Sequence, residues 1–285
     1  MNMLEKIVSW ANKNDRVRAV ILSGSHASKG KTDQLSDYDL ALYGSGFDFI
    51  NDDCWLTEIE QYWICIHDHF NFWGYDIPSR LTIFDSTSKV DFSFHPLKLL
   101  RQLANTEKLP DCYQIGYKIL LDKDGMLTKM KAPEMIGFII KKPGPEEFRK
   151  NTDEFWFEVY HVAKYLYRGD IWTAKSKDWD SKERLRQMLQ WNESSKRNWN
   201  FSAKDNGKEM KDWIDKHIWE KLGTCFGRFE PEESWQTLDN TIKIYREVTV
   251  ETANCLEYEY DQQSDNHISQ FIEDLKINSG IKSRV

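Results

Sequence analysis

The sequence predicts an α+β protein, with a mixed β-sheet flanked by helices in a first domain, residues 1–140, and an α-helical bundle in a second, residues 141–285. Strand-like apolar runs such as Val17–Leu22 and Val90–His95 occur in the first half. The second half instead carries apolar residues at three- and four-residue steps, which is the helical period. Between the two halves, the Pro-Gly-Pro segment at residues 143–145 interrupts regular structure. We therefore place the domain boundary at this segment.

The elements of the first half follow from their apolar patterns. Leu4–Asn12 places apolar side chains on one face at helical spacing, which predicts an amphipathic helix. Val17–Leu22 predicts a strand, and a polar loop at residues 29–36 separates it from a second strand-like run, Asp37–Tyr43. Two further strands and the hairpin-type turn that joins them are expected later, at Arg80–Phe84, Val90–His95 and Asp85–Ser88.

Helices dominate the predicted second half. The apolar residues that recur at helical spacing are Phe155, Val159, Val162, Ala163 and Leu166, and then Leu185, Met188 and Leu189. Trp235–Leu256 predicts another long helix, whereas the acidic and polar stretch Glu257–Asn266 is expected to be a loop.

Composition excludes several classes of protein. The 285 residues are 40% hydrophobic and 30% charged, which is enough chain for one large domain or two of ordinary size. The chain lacks an apolar run of about 18 residues and has no signal-peptide pattern at its N-terminus, so a cytoplasmic protein without a membrane partner is expected. The 46 acidic residues outnumber the 39 basic ones. This balance disfavours nucleic acid as a partner and suits a small polycation.

The cysteines and two histidines are not predicted to form a metal site. The five cysteines are odd in number and far apart, with no CxxC pair, so neither a disulfide framework nor a zinc site is indicated. We expect reduced and mostly buried thiols. His67 and His69 form a His-x-His pair, but other ligands at a suitable spacing are missing, and we interpret them as surface or turn residues.

The residues expected to carry chemistry are a Gly-Ser pair at the end of a strand and, after eleven intervening residues, an Asp-x-Asp sequence. Gly24 and Ser25 allow backbone N–H groups to approach a phosphate, and the serine hydroxyl adds a donor. Asp37 and Asp39 share one face of a strand because side chains alternate, and paired carboxylates suit Mg²⁺. Asp91 lies in another strand-like alternation and is the expected third carboxylate.

Each of these features has a simpler interpretation. A lone Asp-x-Asp is usually a solvated turn, and Asp91 on its own is compatible with a plain surface position on a strand. The combination of a strand, Gly-Ser, a spacer, Asp-x-Asp and a second strand is much more specific than any of its parts. The combination therefore favours a catalytic metal site.

The same residues resemble a known signature. Gly24-Ser25 followed by Asp37-Tyr38-Asp39 is similar to the signature of the DNA polymerase β-like nucleotidyltransferase superfamily. A longer resemblance, to the aminoglycoside 6-adenylyltransferases that modify streptomycin, covers nearly the whole chain. The similar stretches are Arg18–Ser25, Ser36–Leu40, Val90–Phe94, Leu120–Gly125, Asn151–Lys175, Met188–Trp191 and Phe229–Glu251.

The resemblance implies an enzyme that transfers AMP from ATP, its co-substrate, to a hydroxyl of an aminoglycoside such as streptomycin, with Mg²⁺ as cofactor and release of pyrophosphate. It implies that Gly24 and Ser25 hold the ATP phosphates. It also implies that Asp37, Asp39 and Asp91 bind Mg²⁺, and that Asp91 is the general base. His26 stands where the family usually has arginine, and a protonated histidine is able to contact phosphate.

The second half supplies further candidates. Lys164 shares a helical face with Tyr160 and Arg168 and is the candidate contact for the triphosphate, the alternative being an ordinary exposed lysine. Acidic side chains are expected to bind the guanidinium and ammonium groups of the acceptor, because carboxylates pair well with such groups. The candidates are Glu154, Glu158 and Asp170.

Two alternatives stay open. The enzyme would keep its chemistry with another small hydroxyl compound as acceptor, or the fold would serve as a non-catalytic nucleotide-binding module. The intact set of carboxylates favours an enzyme. A nucleic-acid polymerase is disfavoured by the acidic balance and by the lack of a basic stripe. Both a monomer and a homodimer are compatible with the sequence.

Overall fold

The computed structural model describes residues 1–28, 32–134, 139–203 and 205–278. They form two compact units, Met1–Gly137 and Phe138–Val285, and each is considered by itself. Residues 29–31 of the predicted polar loop lie outside the described residues.

The first unit is built on a six-stranded mixed sheet with the strand order β3-β4-β5-β2-β1-β6. The strands are β1 (Val17–Ser23), β2 (Tyr38–Gly44), β3 (Tyr62–Phe72), β4 (Tyr75–Phe84), β5 (Lys89–Pro96) and β6 (Lys118–Asp122). β2 and β5 are parallel, and the other neighbours are antiparallel.

Helices cover both faces of this sheet. They are α1 (Met3–Lys13), α2 (Cys54–Thr57), α3 (Leu97–Asn105) and α4 (Asp111–Gln114), with 3₁₀ turns at Phe47–Asn51 and Met126–Lys129. Leu42 of β2 shares a hydrophobic cluster with Trp10 of α1, whereas the next residue, Tyr43, shares a second cluster with Leu103 of α3. Side chains alternate along a strand, so each face of the sheet has its own core.

The structure confirms the first helix and the four strands predicted in this unit, and it adds two strands that were not predicted. β3 is an edge strand of eleven residues, and most of its side chains are not buried. Its apolar residues Trp63, Ile64 and Ile66 are exposed and do not alternate with polar ones. The period-two signal of a half-buried strand is therefore absent from it.

The second unit is helical, as predicted. Its helices are α5 (Pro145–Tyr167), α6 (Ile171–Lys196), α7 (Met210–Trp213), α8 (Lys216–Leu222), α9 (Pro231–Leu256) and α10 (Gln262–Asn278), with 3₁₀ turns at Asp205–Gly207 and Gly223–Cys225. The core lies between α5, α6 and α9, where the rings of Phe155 and Tyr245 stack 3.4 Å apart. None of the helices in the described residues has the length and apolarity needed to cross a bilayer.

The expectation of a loop over Glu257–Asn266 is correct only as far as Asp261. The carboxylate of Asp261 accepts hydrogen bonds from the backbone N–H and the hydroxyl of Ser264 at 3.0 and 2.7 Å. It therefore caps α10, which begins at Gln262. The polar composition that suggested a loop is the capping sequence and first turn of a helix.

The cysteines also differ from expectation. Cys225 is buried and Cys65 is half-buried, whereas Cys54, Cys112 and Cys255 are exposed, and all five are free thiols. The prediction that most of them are buried is wrong. Cys54 and Cys112 lie in four-residue helices of the first unit that bury the neighbouring side chains Trp55, Leu56 and Tyr113 instead.

An ion pair with a buried carboxylate joins α10 to α9. Asp265 is 1% exposed, and its two oxygens accept hydrogen bonds from the guanidinium group of Arg246 at 2.6 Å each. Burial alone would raise the pKa of Asp265, but hydrogen bonds from Arg246, Tyr260 and Ser269 outweigh burial and lower it. The carboxylate thus stabilises the fold above its unfolded pKa, and this contribution is lost as the pH falls through the lowered pKa.

We expect Asp265→Asn to lower the free energy of unfolding by about 2 kcal/mol, in the range for hydrogen bonds to charged groups. Urea denaturation at pH 7 measures the change. Asp274→Asn is the matched control, because Asp274 is an exposed carboxylate of the same helix. The difference between wild type and Asp265→Asn should shrink as the pH falls below about 3.9. Equal stability of the two variants at pH 7 would contradict the assignment.

Candidate active site

Three carboxylates meet on neighbouring strands in the middle of the sheet. The parallel register of β2 and β5 pairs Asp39 with Asp91, and the antiparallel register of β1 pairs Ser23 with Asp39. Asp37 lies one residue before β2. Lys89, two residues before Asp91 on β5, donates hydrogen bonds to Asp37 Oδ2 and Asp91 Oδ2, both at 2.8 Å. The sheet therefore brings the three predicted carboxylates together.

A cavity of about 280 Å³ opens beside Asp39 and Asp91. It lies on the face of the sheet that α3 covers, because Ala41 and Tyr43 follow Asp39 at alternate positions and pack in the α3 cluster. Polar and aromatic side chains line it, including Ser23, Ser79, Ser93, His95, Phe70, Phe72 and Tyr113. The carboxylates thus border a space that is large enough for part of a small molecule.

The charges of the site are strongly coupled. Burial is the largest cause of a raised pKa of Asp39, and repulsion from Asp91 and Asp37 adds to it, while Lys89 opposes it. For Lys89, burial alone would lower the pKa of the ammonium group. Its hydrogen bonds to Asp37 and Asp91 outweigh this effect and raise the pKa. Three carboxylates surround a single ammonium group in this site, and this excess of negative charge favours the entry of a cation.

Gly24 is required at the end of β1 for two reasons. Its φ is +67°, in the left-handed region that favours glycine, and a Cβ added there would lie 1.9 Å from Asp39 Oδ2. Its carbonyl oxygen accepts hydrogen bonds from the N–H groups of Ala27 and Ser28 at 3.1 and 3.0 Å. Ser25 lies inside this tight turn. The Gly-Ser pair thus places a backbone turn directly against the carboxylates.

Residues 1–275 match the model of the streptomycin adenylyltransferase family. The chain belongs to this family. It is therefore an enzyme of the nucleotidyltransferase class, and the resemblance inferred from the Gly-Ser and Asp-x-Asp residues is confirmed.

Relatives in several bacteria are similar to the chain over nearly their whole length. The aminoglycoside 6-adenylyltransferase of Campylobacter jejuni is 28% identical over 291 residues, which cover 97% of this chain and 95% of the relative. That of Bacillus subtilis (strain 168) is 25% identical over 286 residues, or 96% of each chain. A crystal structure of an aminoglycoside 6-adenyltransferase from Bacillus subtilis matches 96% of this chain and 97% of its own, with 23% identity and a TM-score of 0.47.

The carboxylates of this streptomycin adenylyltransferase family member fit a divalent ion. The Lys89 ammonium lies between Asp37 and Asp91 and so occupies a position that favours a cation. Asp91 Oδ1 is buried, and no side chain or backbone group of the described residues donates a hydrogen bond to it. Mg²⁺ commonly uses one or two carboxylates together with phosphate oxygens of the substrate. Asp37, Asp39 and Asp91 therefore have the chemistry and the position to hold it.

Lys89 is expected to compete with a metal ion for these carboxylates. Each of its two partly exposed ion pairs contributes about 0.5–1 kcal/mol, so Lys89→Met should tighten the apparent affinity for Mg²⁺ by roughly tenfold. Thermal unfolding at increasing MgCl₂ concentrations measures the effect. Lys13→Met, which alters an exposed lysine of α1, should bind Mg²⁺ as wild type does. Unchanged or weaker Mg²⁺ binding in Lys89→Met would contradict this competition.

The side chain of His26 makes two contacts within the first unit. Its ring stacks on Tyr38, with centroids 4.3 Å apart and planes 10° apart. Its Nε2 lies 3.0 Å from the carbonyl oxygen of Ser36, so this nitrogen carries a hydrogen and donates it. The histidine thereby links the turn after β1 to the residue before Asp37. The predicted phosphate contact of His26 stays a prediction and would have to use Nδ1.

Lys164 lies in the second unit, on α5. Its ammonium group lies 4.9 Å from the ring centre of Tyr165 and 5.5 Å from that of Tyr160. Both distances are within the range of cation–π contacts. Arg168 follows at the C-terminal end of the same helix. The structure thus shows what orients Lys164, and its role toward the triphosphate stays a prediction.

The acidic candidates for acceptor binding also lie in the second unit. Glu154 and Glu158 are one turn apart on α5, and Asp170 lies just before α6 and is exposed. Glu154 pairs with Arg184 at 3.2 Å, and Glu158 pairs with Lys177 at 3.3 Å. Both glutamates therefore already bind cationic groups of α6. A cationic ligand would compete with Arg184 and Lys177 for these carboxylates.

Sequence reasoning assigned no role to three residues that share the face of β5 with Asp91, namely Lys89, Ser93 and His95. Ser93 donates to the carbonyl oxygen of Leu40 at 3.2 Å, and its oxygen lies 2.9 Å from Nε2 of His95. Burial lowers the pKa of His95 to about 4, so the ring is neutral near pH 7. Alternation along β5 is the signal that places these side chains beside Asp91.

Proposed function

We propose that this protein transfers AMP from ATP to a hydroxyl group of an aminoglycoside, with Mg²⁺ as cofactor, and that streptomycin is the first acceptor to test. One observation carries the proposal. Asp37, Asp39 and Asp91 meet directly beside the Gly24 turn, so metal-binding carboxylates and a backbone turn suited to phosphate share one site. Membership in the streptomycin adenylyltransferase family supports the same reaction.

The turn at Gly24 and Ser25 would hold the triphosphate of ATP. A glycine with positive φ at the end of a strand allows backbone N–H groups to converge on a phosphate. The next residue, Ser25, offers a hydroxyl donor in the same turn. Because Gly24 lies against Asp39, a phosphate at this turn would be adjacent to the carboxylates.

All three carboxylates would bind the metal ion, and Asp91 has a second task in the proposed reaction. Mg²⁺, when bound by Asp37, Asp39 and Asp91, supplies charge neutralisation for the phosphate oxygens. Asp91 accepts the proton of the acceptor hydroxyl, since one of its oxygens receives a hydrogen bond from Lys89 and the other receives none from the described residues. The hydroxyl oxygen forms a bond to the α-phosphorus of ATP, and the bond from that phosphorus to the β-phosphate oxygen breaks. Pyrophosphate leaves with the bonding electrons.

The acceptor proposal rests on charge. The chain has a formal net charge of −7 at pH 7, and an acidic protein attracts a polycation. Glu154 and Glu158 already bind a guanidinium group and an ammonium group of their own unit. These are the cationic groups that streptomycin and related compounds carry, and carboxylates recognise them through charge-assisted hydrogen bonds.

The experiment measures pyrophosphate release from ATP and Mg²⁺ with streptomycin, kanamycin or lincomycin as acceptor, and the Asp39→Asn variant is the blank. We expect release with streptomycin and none above background with the variant. Release with another of these acceptors but not with streptomycin would keep the reaction and change the substrate. ATP binding without release for any acceptor would favour the non-catalytic nucleotide-binding module.

A further inference from the structure

A second group of metal-type ligands lies in the first unit, away from Asp39 and Asp91. Cys65 and His67 occupy alternate positions of the edge strand β3, and Asp53 directly precedes α2. One ligand atom from each of these three side chains lies within 4.8 Å of the other two. A sulfur, a nitrogen and an oxygen ligand thus converge at one point of the surface.

This group lies on the opposite face of the sheet from the candidate active site. The register of β3 and β4 pairs Cys65 with Thr82 and His67 with Arg80. Ser79, beside Arg80 on β4, lines the cavity next to the catalytic carboxylates. Neighbouring side chains of a strand face opposite ways, so Arg80 and Thr82, together with their partners on β3, face away from that cavity. The two groups of ligands are therefore separate.

Hydrogen bonds already orient the three side chains. His67 Nε2 lies 2.9 Å from both carboxylate oxygens of Asp53. The buried hydroxyl of Thr82 donates to Cys65 Sγ at 3.5 Å. The Thr82 hydroxyl orients Cys65 from outside the group, as such neighbours of metal ligands do. The ion would take the place of the hydrogen that His67 Nε2 and the Asp53 carboxylate now share.

Arg80 provides a further support for Asp53. Two of its guanidinium nitrogens donate to backbone carbonyl oxygens, at 2.7 and 2.6 Å. The third, Nε, is buried, donates a hydrogen bond to no group of the described residues, and lies 3.7 Å from Asp53 Oδ1. A small shift of Asp53 toward Arg80 would satisfy this nitrogen with one carboxylate oxygen. The second oxygen would then be left for a metal ion.

We propose that Asp53, Cys65 and His67 bind a zinc-type divalent cation, with a fourth coordination position left for water. Thiolate, imidazole and carboxylate are the ligands that zinc uses in proteins, and the thiolate disfavours Mg²⁺ and Ca²⁺. Ligand atoms around tetrahedral zinc lie roughly 3.4–3.6 Å apart. The three ligand atoms lie within 4.8 Å of one another, and His67 Nε2 and the Asp53 carboxylate, now 2.9 Å apart, would separate slightly to admit the ion. His67 is exposed, so its side chain has room to rotate.

Charge and protons balance at this site. On binding, the Cys65 thiol gives its proton to solvent, and His67 presents Nε2 without a hydrogen. The thiolate and the Asp53 carboxylate together neutralise the two charges of the cation, while Arg80 keeps its own backbone partners. The bound ion would fasten the segment before α2 to the edge of the sheet. It should therefore stabilise the first unit by an amount that rises with the free metal concentration relative to the Kd.

The experiment titrates the full chain with Co²⁺, a spectroscopic substitute for zinc, in the presence of excess Mg²⁺. We expect a thiolate-to-cobalt charge-transfer band that saturates at one equivalent and disappears on addition of Zn²⁺. Cys65→Ser should abolish the band, and His67→Asn should weaken binding by at least tenfold. Cys54→Ser and Cys112→Ser are the matched controls and should keep the band, since these thiols are exposed but do not belong to the group.

A second readout, the Tm, does not depend on the absorption band of the thiolate. Zn²⁺ should raise the Tm of wild type and of Cys54→Ser, but not that of His67→Asn, and circular dichroism verifies that each variant is folded. Absence of the band in wild type would overturn the proposal. A band that survives in Cys65→Ser would also overturn it. So would a band that is lost in Cys112→Ser, because the ion would then lie in the cavity beside the catalytic carboxylates, which Cys112 lines.

Discussion

Replacement of Asp91 by asparagine is expected to lower kcat/KM for adenylyl transfer by about 10²–10⁴-fold, the range for loss of a general base. Asparagine has nearly the same size as aspartate but neither accepts a proton at neutral pH nor carries the charge that holds a divalent ion. Asp91 is paired in register with Asp39 and receives a hydrogen bond from Lys89. The change therefore removes both the proposed proton acceptor and one of the three proposed metal ligands. Pyrophosphate release at saturating and at limiting acceptor concentrations measures it.

The control for Asp91→Asn is Asp85→Asn, which alters an exposed carboxylate in the turn between β4 and β5. Asp85→Asn should retain the activity of wild type. Circular dichroism and thermal unfolding should show that Asp91→Asn is folded, since the side chain lies at the surface of a cavity. Wild-type activity in a folded Asp91→Asn variant would exclude Asp91 as base and as metal ligand.

Gly24→Ala is expected to lower kcat/KM by about 10²-fold. The added Cβ would lie 1.9 Å from Asp39 Oδ2, so Asp39 or the turn has to move by more than about 1 Å, and a displacement of that size costs about 10²-fold in rate. Alanine at a φ of +67° also costs about 1–2 kcal/mol of backbone strain. Activity, ATP binding and thermal stability of the variant measure the two effects.

Gly74→Ala separates the effect of backbone strain from the effect of a steric clash with Asp39. Gly74 has a φ of +80° in the turn between β3 and β4, and a Cβ there would meet no atom within 4 Å. This variant should lose a similar amount of stability and keep full activity. If Gly24→Ala retained the activity of Gly74→Ala, the close approach of Gly24 to Asp39 would have no role in catalysis.

The sequence pattern predicted a strand correctly where one face of that strand is buried and the other is not. Along β5, Val90, Phe92 and Phe94 are buried in one cluster, and Asp91 lies between them on the other face. This alternation predicts both the strand and the direction of the carboxylate. β3 was missed for the converse reason, because its exposed Ile64 and Ile66 give no alternation of apolar and polar residues. Its hydrogen bonds to β4 stabilise it where its side chains are not buried.

Residues distant in sequence set the electrostatics of the sites. The sequence predicted no role for Lys89, yet it bridges Asp37 and Asp91, and only the pairing of β2 with β5 brings these groups together. His67 is at the surface, as expected, but it lies in a strand rather than in a turn. The missing ligand for a metal site near Cys65 and His67 is Asp53, which comes from another element of the fold. Spacing within one segment does not reveal such a neighbour.

The sequence by itself determined the mixed sheet followed by helices, the family, and the Gly-Ser and Asp-x-Asp residues at the centre of the proposed chemistry. These follow from periodicity and from side chains a few residues apart, whose relative positions local backbone geometry sets. Only the tertiary structure decided that Gly24 must lack a side chain to leave room for Asp39, that Lys89 holds two of the carboxylates, and that Asp53 joins Cys65 and His67. Strand order and register bring these atoms together, and no local pattern of the chain specifies the contacts between them.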